Sequence, residues 1–398
     1  MADKPVYAVG LDAGSTWTRC VICRLEGERV RFLGYGQTLS QGWNRSRLAD
    51  HNAVSDSLRY ALEEAERMAG VSVNSVVLGI GGATVSGINS RGVYEFGYQR
   101  EITLADVRRA IERAARVVLP EDRMILHLFP QDFAVDGRPG HRNPCGMTAS
   151  KLEAFVHLIT TSMQEHDELV GAANRAHVSV EETVFEPLAA AYAAVRPRDR
   201  RQALAVIDIG AHSTDVVAFY GEALVCSASL PLCGDHFTWD VARGLHVSCE
   251  DAEAIKQQQG CAVMEHTASN SFIVLPTPPG REPRERARRE LNMILEARAR
   301  ELFAWVQREL ARISMDHNLM GAVLSGGAAR LTGLCDLAEA MLNCDVTNGL
   351  PRGIQGWPVE LKSPSWTTAA GLAMYAARLK FRAKRDRGPN GFLRGLWN

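Results

Sequence analysis

The chain has 398 residues, of which 46% are hydrophobic and 23% charged, a composition that excludes a mainly disordered protein. At about 150 residues per domain, its length predicts two or three domains. The formal net charge of −1 excludes a global basic field, so no nucleic-acid partner is expected. Residues 1–10 lack a signal-peptide pattern, and no apolar stretch reaches the roughly 20 residues needed to cross a bilayer. We therefore expect a cytoplasmic protein.

The nine cysteines are spread through apolar segments, which predicts reduced and mostly buried thiols. Cys20 and Cys23 form the one suggestive pair. They fall in a predicted strand, residues 18–25, where positions three apart face opposite sides. This spacing favours core packing over a shared metal or redox role.

The chain begins with a predicted β-hairpin, in which the apolar residues 6–12 end in an aspartate and a Gly-Ser-Thr turn leads to residues 18–25. The same plan returns at residues 203–220. Two copies of one hairpin so far apart predict a duplicated α/β domain.

The residues between the hairpins change character along the chain. Residues 53–69 have the apolar spacing of an amphipathic helix, which Gly70 is expected to end. Residues 84–158 contain extended segments and a predicted helix near 104–119. We expect a small α+β insertion there.

Residues 249–315 are predicted to be rich in helix because apolar residues recur at helical spacing. The arginines at 284, 286, 288 and 289 alternate with glutamates. This alternation favours a solvated helix face over a nucleic-acid patch.

Both hairpin turns have features that suit phosphate groups. Small Gly, Ser and Thr residues present backbone N–H groups and hydroxyls with little bulk. Asp12 and Asp208 end the first strand of each hairpin and can hold a hydrated Mg²⁺ beside such phosphates. Two ordinary hairpins are the alternative.

A third element, residues 322–334, is an apolar strand that runs into Gly326-Gly327 and then a helix. The glycines permit close approach of an anion or a nucleoside at the helix N-terminus. The sequence has no Gly-x-x-x-x-Gly-Lys-Ser/Thr motif, which excludes a Walker-type nucleotide site.

Two further segments carry candidate polar groups. Glu186-Pro187 begins a predicted helix, with Glu186 at the cap, and the glutamate either only caps the helix or orients a water against a terminal phosphate. Glu253 and Lys256 lie one helical turn apart, which is typical of a surface ion pair.

Taken in this order, these elements resemble actin and the DnaK-type chaperone ATPases. Within that superfamily the whole chain resembles the FtsA family of bacterial cell-division proteins. The more specific matches are HLFPQDF at 127–133, NPCGM at 143–147, FVHLIT at 155–160, DAEAIK at 251–256 with Gly260-Cys261, and SGGAARLTGL at 325–334. The resemblance implies an α/β, actin-like two-lobed ATPase fold with a small α+β inserted subdomain and a C-terminal amphipathic tail.

The resemblance also implies a division of the chain. The predicted parts are lobe 1 at 1–84 and 163–197, an inserted subdomain of the FtsA type (1C) at 85–162, the lobe 2 core at 198–248, a helix-rich, 2B-like subdomain of lobe 2 at 249–315, the rest of lobe 2 with a return to lobe 1 at 316–378, a basic linker at 379–390 and an amphipathic membrane-targeting segment at 391–398.

ATP and Mg²⁺ are the implied cofactors, bound between the lobes with Mg²⁺ held through water near Asp12 and Asp208. The hairpin loops would contact phosphates, Glu253 and Lys256 the ribose or base, and the Gly-Gly element the adenosine. The implied nucleotide-binding residues are Gly14, Ser15, Thr16, Trp17, Gly210, Ala211, Ser213, Thr214, Glu253, Lys256, Gly326, Gly327, Ala328 and Arg330.

The implied partners are a second copy of the chain in an actin-like protofilament, the C-terminal peptide of the tubulin-like protein FtsZ, and downstream division proteins.

One departure from the family pattern concerns ATP hydrolysis. The second loop of the family is rich in glycine, whereas Ala211 and His212 stand here and restrict the backbone. We expect ATP binding with weak or absent ATPase activity.

The last segment has an apolar face. At about 100° per residue, Phe392, Leu393, Leu396 and Trp397 fall within an arc of roughly 140° with Arg394 near its edge. With the basic residues upstream, this pattern fits an anchor on an anionic membrane, so the resemblance implies a peripheral protein on the cytoplasmic face of the membrane at the division site. A docking strand and a frayed end are the alternatives.

Two other functions share the fold. A small-molecule kinase would need a catalytic aspartate aimed at a substrate hydroxyl, and no residue is assigned to that role. A pilus-assembly adaptor shares the inserted subdomain, but the tail and the DAEAIK segment favour cell division. A third function, that of a chaperone, is not favoured, because a chaperone would need a downstream substrate domain.

Overall fold

A computed structural model describes residues 5–44, 47–276, 284–313, 315 and 319–385, the side chains of 384 and 385 excepted. Its strands are β1 (Tyr7–Ala13), β2 (Trp17–Glu26), β3 (Arg29–Leu39), β4 (Trp43–Asn44), β5 (Arg47–Leu48), β6 (Ser75–Ile80), β7 (Ser86–Glu101), β8 (Arg123–Val135), β9 (Arg138–His141), β10 (Thr148–Ser162), β11 (Ser179–Phe185), β12 (Leu204–Ile209), β13 (Thr214–Tyr220), β14 (Ala223–Leu230), β15 (Phe272–Leu275), β16 (Arg284–Ala287), β17 (Gly321–Ser325), β18 (Asp345–Asn348) and β19 (Ile354–Gln355). Its α-helices are α1 (His51–Ala69), α2 (Leu104–Ala114), α3 (Met163–Arg175), α4 (Glu186–Ala194), α5 (Gly234–Leu245), α6 (Cys249–Gln259), α7 (Arg288–Ala311), α8 (Leu334–Leu342) and α9 (Thr367–Arg385).

The first lobe is built on a six-stranded sheet in the order β11-β6-β1-β2-β3-β19. Helices α1 and α3 cover one face, and α4 and α9 cover the other. Because side chains alternate along a strand, Cys20 of β2 packs in the core under α1 and α3, and Cys23 packs in the core under α4 and α9. The prediction that the two cysteines face opposite sides is therefore confirmed.

The second lobe continues into the inserted subdomain. Its strands and those of the insertion form one nine-stranded sheet in the order β18-β17-β12-β13-β14-β7-β10-β8-β9. The junction is the pairing of β14 with β7, at Ala228 and Ser86. Helices α5 to α8 cover the apolar face of β12 and its neighbours. The insertion is thus attached to lobe 2 by main-chain pairing as well as to lobe 1 by its chain ends.

Helix α4 lies between the two sheets and is buried nearly all round, which its sequence of mostly alanines permits. It packs closely on α9 at Gly371, where a Cβ would lie 1.8 Å from the carbonyl oxygen of Ala189. One core cluster therefore joins both lobes along α4 and α9.

Most predicted elements form, with some differences. Helix α1 ends at Gly70, which has a φ of 66°, and the helix predicted near 104–119 ends at Ala114. Glu186 is the first residue of α4 rather than its cap, because Phe185 holds the extended cap conformation. The chain otherwise follows the predicted periodicities.

The arginine run does not form one helix face, which corrects the prediction for this segment. Arg284 and Arg286 lie in β16, a strand paired with β15, and the helix begins only at Arg288. Arg284 and Arg286 are exposed, as predicted. Exposed charges of alternating sign occur on strands as well as on exposed helices, so this pattern did not distinguish the two structures.

Within the described residues, no helix is both long enough and apolar enough to span a membrane. Residues 379–385 of the predicted linker continue α9 as helix, which corrects the prediction for this part. Residues 386–390 and the membrane-targeting segment lie outside the described residues, so the predictions for Phe392, Leu393, Arg394, Leu396 and Trp397 stay predictions.

A capping box holds the start of α2 in the inserted subdomain. The backbone N–H of Asp106 donates to the Thr103 hydroxyl, and the Asp106 carboxylate accepts from the backbone N–H of Thr103. Arg100 also donates two hydrogen bonds of 2.7 Å to that carboxylate, and it holds the pKa of Asp106 well below its usual range. The cap therefore fixes α2 against β7.

We expect Thr103→Ala to lower the free energy of unfolding by about 0.5–2 kcal/mol, because it removes the side-chain acceptor at the cap. Chemical denaturation measures this change. Thr103→Ser is the matched control and should unfold like the wild type. Equal stability of the alanine variant would show that the cap does not stabilise the subdomain.

Candidate functional site

A cavity of about 560 Å³ opens between the two lobes. The turns of both hairpins, the start of α4, helices α5 and α6 and the Gly-Gly element all line it. The predicted site residues that line it are Asp12, Gly14, Ser15, Thr16, Trp17, Glu186, Asp208, Gly210, Ala211, Ser213, Glu253, Lys256, Gly326, Gly327, Ala328 and Arg330. Thr214 does not line it, because it begins β13 and is fully buried there.

The two hairpins repeat in register as well as in sequence. Asp12 of β1 pairs with Arg19 of β2, and Asp208 of β12 pairs with Asp215 of β13. Directly opposed residues of an antiparallel pair project to the same side of the sheet. Each copy therefore places a second charged residue beside its aspartate, with opposite signs in the two lobes.

Four carboxyl groups share this part of the cleft. Asp12, Asp208 and Asp215 are between 2% and 7% exposed, and Glu186 faces the cavity from the first turn of α4. Burial raises the pKa of Asp12 to about 6 and that of Asp208 to about 7. Burial and the three aspartates raise the pKa of Glu186 well above its usual value. The cleft thus favours a ligand that brings positive charge to these groups.

Two of these carboxylates, Asp208 and Asp215, accept hydrogen bonds from residues that pack on or belong to lobe 1. The Thr368 hydroxyl at the start of α9 donates to Asp208 over 2.6 Å. The backbone N–H of Gly82, after β6, donates to Asp215 over 3.3 Å. Because α9 packs on lobe 1 and both aspartates belong to lobe 2, each bond joins the two lobes at the site.

Two positions of the second hairpin loop, Ala211 and His212, adopt a conformation that does not require glycine. Residues 210–213 all keep a negative φ, so Ala211 and His212 cause no backbone strain. The His212 ring lines the cavity, as the prediction of crowding requires, and its Nε2 lies 3.2 Å from the Asp235 carboxylate. The departure from a glycine loop therefore changes the side chains in the cleft and leaves its backbone unstrained.

Glu253 and Lys256 form the predicted ion pair, with 2.6 Å between their charged atoms. The pair is not a simple surface pair, because the Lys256 side chain is only 11% exposed and lines the cavity. Lys256 also donates to the Thr238 hydroxyl and to the carbonyl of Gly234. The pair therefore fixes α6 against α5 at the edge of the cleft.

The residues present fit a magnesium nucleotide. Clustered carboxyl groups need a cation, and Gly14 and Gly326 leave no room for a Cβ beside the Asp12 and Asp208 loops. Among the described residues, no group of three or more His, Cys, Asp or Glu side chains is placed to hold a metal ion. Asp12 and Asp208 would hold a hydrated Mg²⁺ at this position.

The sequence reasoning missed several residues of the cleft. Arg19 and Asp215 occupy equivalent places seven residues after the two aspartates, so aligning the two hairpins would have found them. Arg19 lines the cavity, whereas Asp215 lies next to it. Thr238, Trp239 and Thr368 also line the cavity. No local motif marks these three, because only the packing of α5 and α9 brings them to it.

The Gly-Gly element gives a matched pair of variants. Gly326 has a φ of 89°, and a Cβ there would lie 2.4 Å from an oxygen of Asp208, whereas Gly327 is helical and has no atom within 4 Å of such a Cβ. We expect Gly326→Ala to lower the free energy of unfolding by about 1–3 kcal/mol. Gly327→Ala should change it by less than about 0.5 kcal/mol. Equal loss in both variants, measured by urea unfolding, would contradict this assignment.

Comparison with known families gives two matches along the chain. The family model described as Cell division protein FtsA matches residues 205–371, and the model of the SHS2 domain inserted in FtsA matches residues 82–160. The curated relatives named Cell division protein FtsA include one from Pseudomonas aeruginosa, which is 31% identical over 92% of this chain and 88% of that protein. Another, from Borreliella burgdorferi, is 33% identical over 92% of this chain and 90% of that protein.

Solved structures support the fold at lower identity. The chain is similar to a PilM-PilN type IV pilus biogenesis complex, with a TM-score of 0.65, 18% identity and coverage of 94% of this chain and 99% of that one. It is also similar to MreB5 of Spiroplasma citri bound to AMPPNP, with a TM-score of 0.56, 13% identity and coverage of 96% and 98%. The predicted actin-like fold with its inserted domain is confirmed, and the chain belongs to the FtsA family of cell division proteins.

Proposed function

We propose that this protein binds MgATP in the cleft between its lobes. Loop residues Gly14 to Trp17 and Gly210 to Ser213 contact the phosphates, and the Gly-Gly element contacts the adenosine together with Glu253 and Lys256. The joint lining of one cavity by both hairpin loops, α6 and the Gly-Gly element is the observation that carries the proposal. A bound Mg²⁺ supplies positive charge to the phosphates and to Asp12 and Asp208.

Glu186 is the candidate for positioning a water against the terminal phosphate. Burial and the neighbouring aspartates raise the pKa of its carboxyl group, which makes the ionised form a stronger base than an exposed glutamate. Bound cations lower such a pKa by favouring the charged form. We expect weak or absent hydrolysis because Ala211 and His212 stand in the second loop, where the family is rich in glycine.

We further propose that the protein assembles into actin-like filaments, binds the C-terminal peptide of FtsZ and downstream division proteins, and tethers the division ring to the cytoplasmic face of the membrane. Its membership of a cell-division family supports this role. The amphipathic pattern of residues 391–398 supports a peripheral anchor. The relatives named for cell division favour this function over a kinase or a pilus adaptor.

The anchor is weak in a single copy. Four apolar side chains contribute about 1.5–3 kcal/mol each, a gross ~6–12 kcal/mol before the cost of ordering the segment. Assembly places many anchors on one surface, and each further anchor then binds at high effective concentration. Nucleotide-dependent assembly would therefore control residence at the membrane.

Co-sedimentation with anionic liposomes tests assembly and anchoring together. We expect MgATP to increase the liposome-dependent part of the pelleting of the full chain and to leave that part unchanged for a chain ending at Arg387, because the truncated chain lacks the apolar residues. Each protein is also sedimented without liposomes to measure filaments alone. Equal pelleting of both chains with liposomes would reject the membrane tether.

A single substitution tests the apolar face. We expect Trp397→Glu to reduce liposome binding at least tenfold, because it places a charge on the face that enters the headgroup region. Trp397→Phe keeps the face apolar and is the matched control. Unchanged lipid binding of a folded Trp397→Glu variant would show that residues 391–398 are not the anchor.

A further inference from the structure

Arg19 is a charged residue of the cleft to which the proposed function gives no role. It lies in β2 directly opposite Asp12, and its side chain lines the cavity. The equivalent residue of the second hairpin is Asp215, whose carboxylate accepts a hydrogen bond from lobe 1. The duplicated unit therefore presents a cation in one lobe where it presents an acceptor in the other.

The Arg19 guanidinium has no polar partner among the residues that the structure describes. Its Nε is buried and makes no hydrogen bond. No described carboxylate oxygen lies within the 4 Å of an ion pair, although Asp12 and Asp208 act on it from farther away. Because Nε alone among its nitrogens is buried without a partner, the two Nη nitrogens face the cavity.

Two tryptophans hold the group in place. The guanidinium carbon lies 5.3 Å from the ring centroid of Trp366 and 6.0 Å from that of Trp17. Trp366 is only 5% exposed, so it forms a fixed surface for the arginine. Such contacts immobilise a guanidinium through its faces and leave its N–H edges for another ligand.

This environment is costly for an arginine with only a structural role. Burial lowers the pKa of Arg19, and Arg330 lowers it further, against the opposing effect of Asp12 and Asp208. A buried structural arginine is normally paired with a carboxylate and fully hydrogen-bonded. An unpaired guanidinium beside an open cavity is instead prepared for an anion.

We propose that Arg19 binds phosphate oxygens of the nucleotide through its N–H edge and makes affinity depend on the phosphate chain. This inference rests on the proposed nucleotide site. A guanidinium matches the fork geometry of two phosphate oxygens. Arg19 therefore adds a cation from lobe 1 close to the buried carboxyl groups of Asp12 and Asp208.

Affinities for adenosine, ADP and ATP, each with and without Mg²⁺, test this role by calorimetry. We expect Arg19→Met to bind ATP about 10–100-fold more weakly than the wild type, because a charge-assisted hydrogen-bonding group is lost. Adenosine affinity should change by less than about twofold, since no phosphate is present. Arg19→Lys keeps the charge without the forked geometry, so its ATP affinity should lie between those of the wild type and Arg19→Met.

Arg24→Met is the matched control, because Arg24 lies on the same strand with its side chain 50% exposed. It should bind ATP like the wild type. The thermal midpoint of the empty protein gives a second readout. Removing a buried unpaired charge should leave the Tm of Arg19→Met at or above that of the wild type, whereas loss of a structural contact would lower it.

Binding of inorganic tripolyphosphate separates failure of this inference from failure of the proposed function. If the wild type binds ATP and Arg19→Met binds it equally well, the function stands and the role of Arg19 is rejected. If adenosine affinity falls as far as ATP affinity and the Tm drops, Arg19 is structural and the inference is also rejected. Arg19-dependent binding of tripolyphosphate without ATP binding would uphold the inference and reject the nucleotide function.

Discussion

The close packing of α4 with α9 is the constraint on which the cleft depends. Gly371 lets α9 approach the carbonyl of Ala189, and Gly10 lets β1 approach α9, where a Cβ would lie 2.4 Å from the nitrogen of Ala373. Even the single methyl group of an alanine at either crossing would force the elements apart. Since Glu186 begins α4 and Thr368 begins α9, this packing also sets where both groups meet the aspartates.

The electrostatics of the cleft follow from that packing. Four carboxyl groups are brought together, and burial is the main cause of the raised pKa of each. Neighbouring carboxylates raise the pKa further for Asp208 and Glu186. Among the described residues, no lysine or arginine forms an ion pair with these four groups, and Arg19 acts on Asp12 and Asp208 from farther away. A cation that entered the cleft would therefore favour the charged forms of these groups, and its binding would stabilise the folded protein.

The sequence predicted the parts of this site that are local. Alternating apolar residues, small turn residues and the repeat of one hairpin identified both loops, Asp12, Asp208 and the Gly-Gly element. It could not predict that Thr368 reaches Asp208 or that Thr214 turns away from the cavity, because these depend on how α9 and β13 pack. The helix predicted at Arg284 was wrong for a related reason: exposed charges alternate in either structure, and only the pairing with β15 shows that this segment is a strand.

The inserted subdomain is positioned by both lobes, and this has a consequence for motion. His157 of β10 donates from Nδ1 to the Asn89 amide oxygen and accepts from the Ser227 hydroxyl of β14, with 2.7 Å in each bond. His127 of β8 accepts the backbone N–H of Phe185, immediately before Glu186. Burial lowers the pKa of both histidines to about 4, so their rings stay neutral and keep these acceptor roles. A change in the angle between the lobes must therefore break these contacts or carry the subdomain with it.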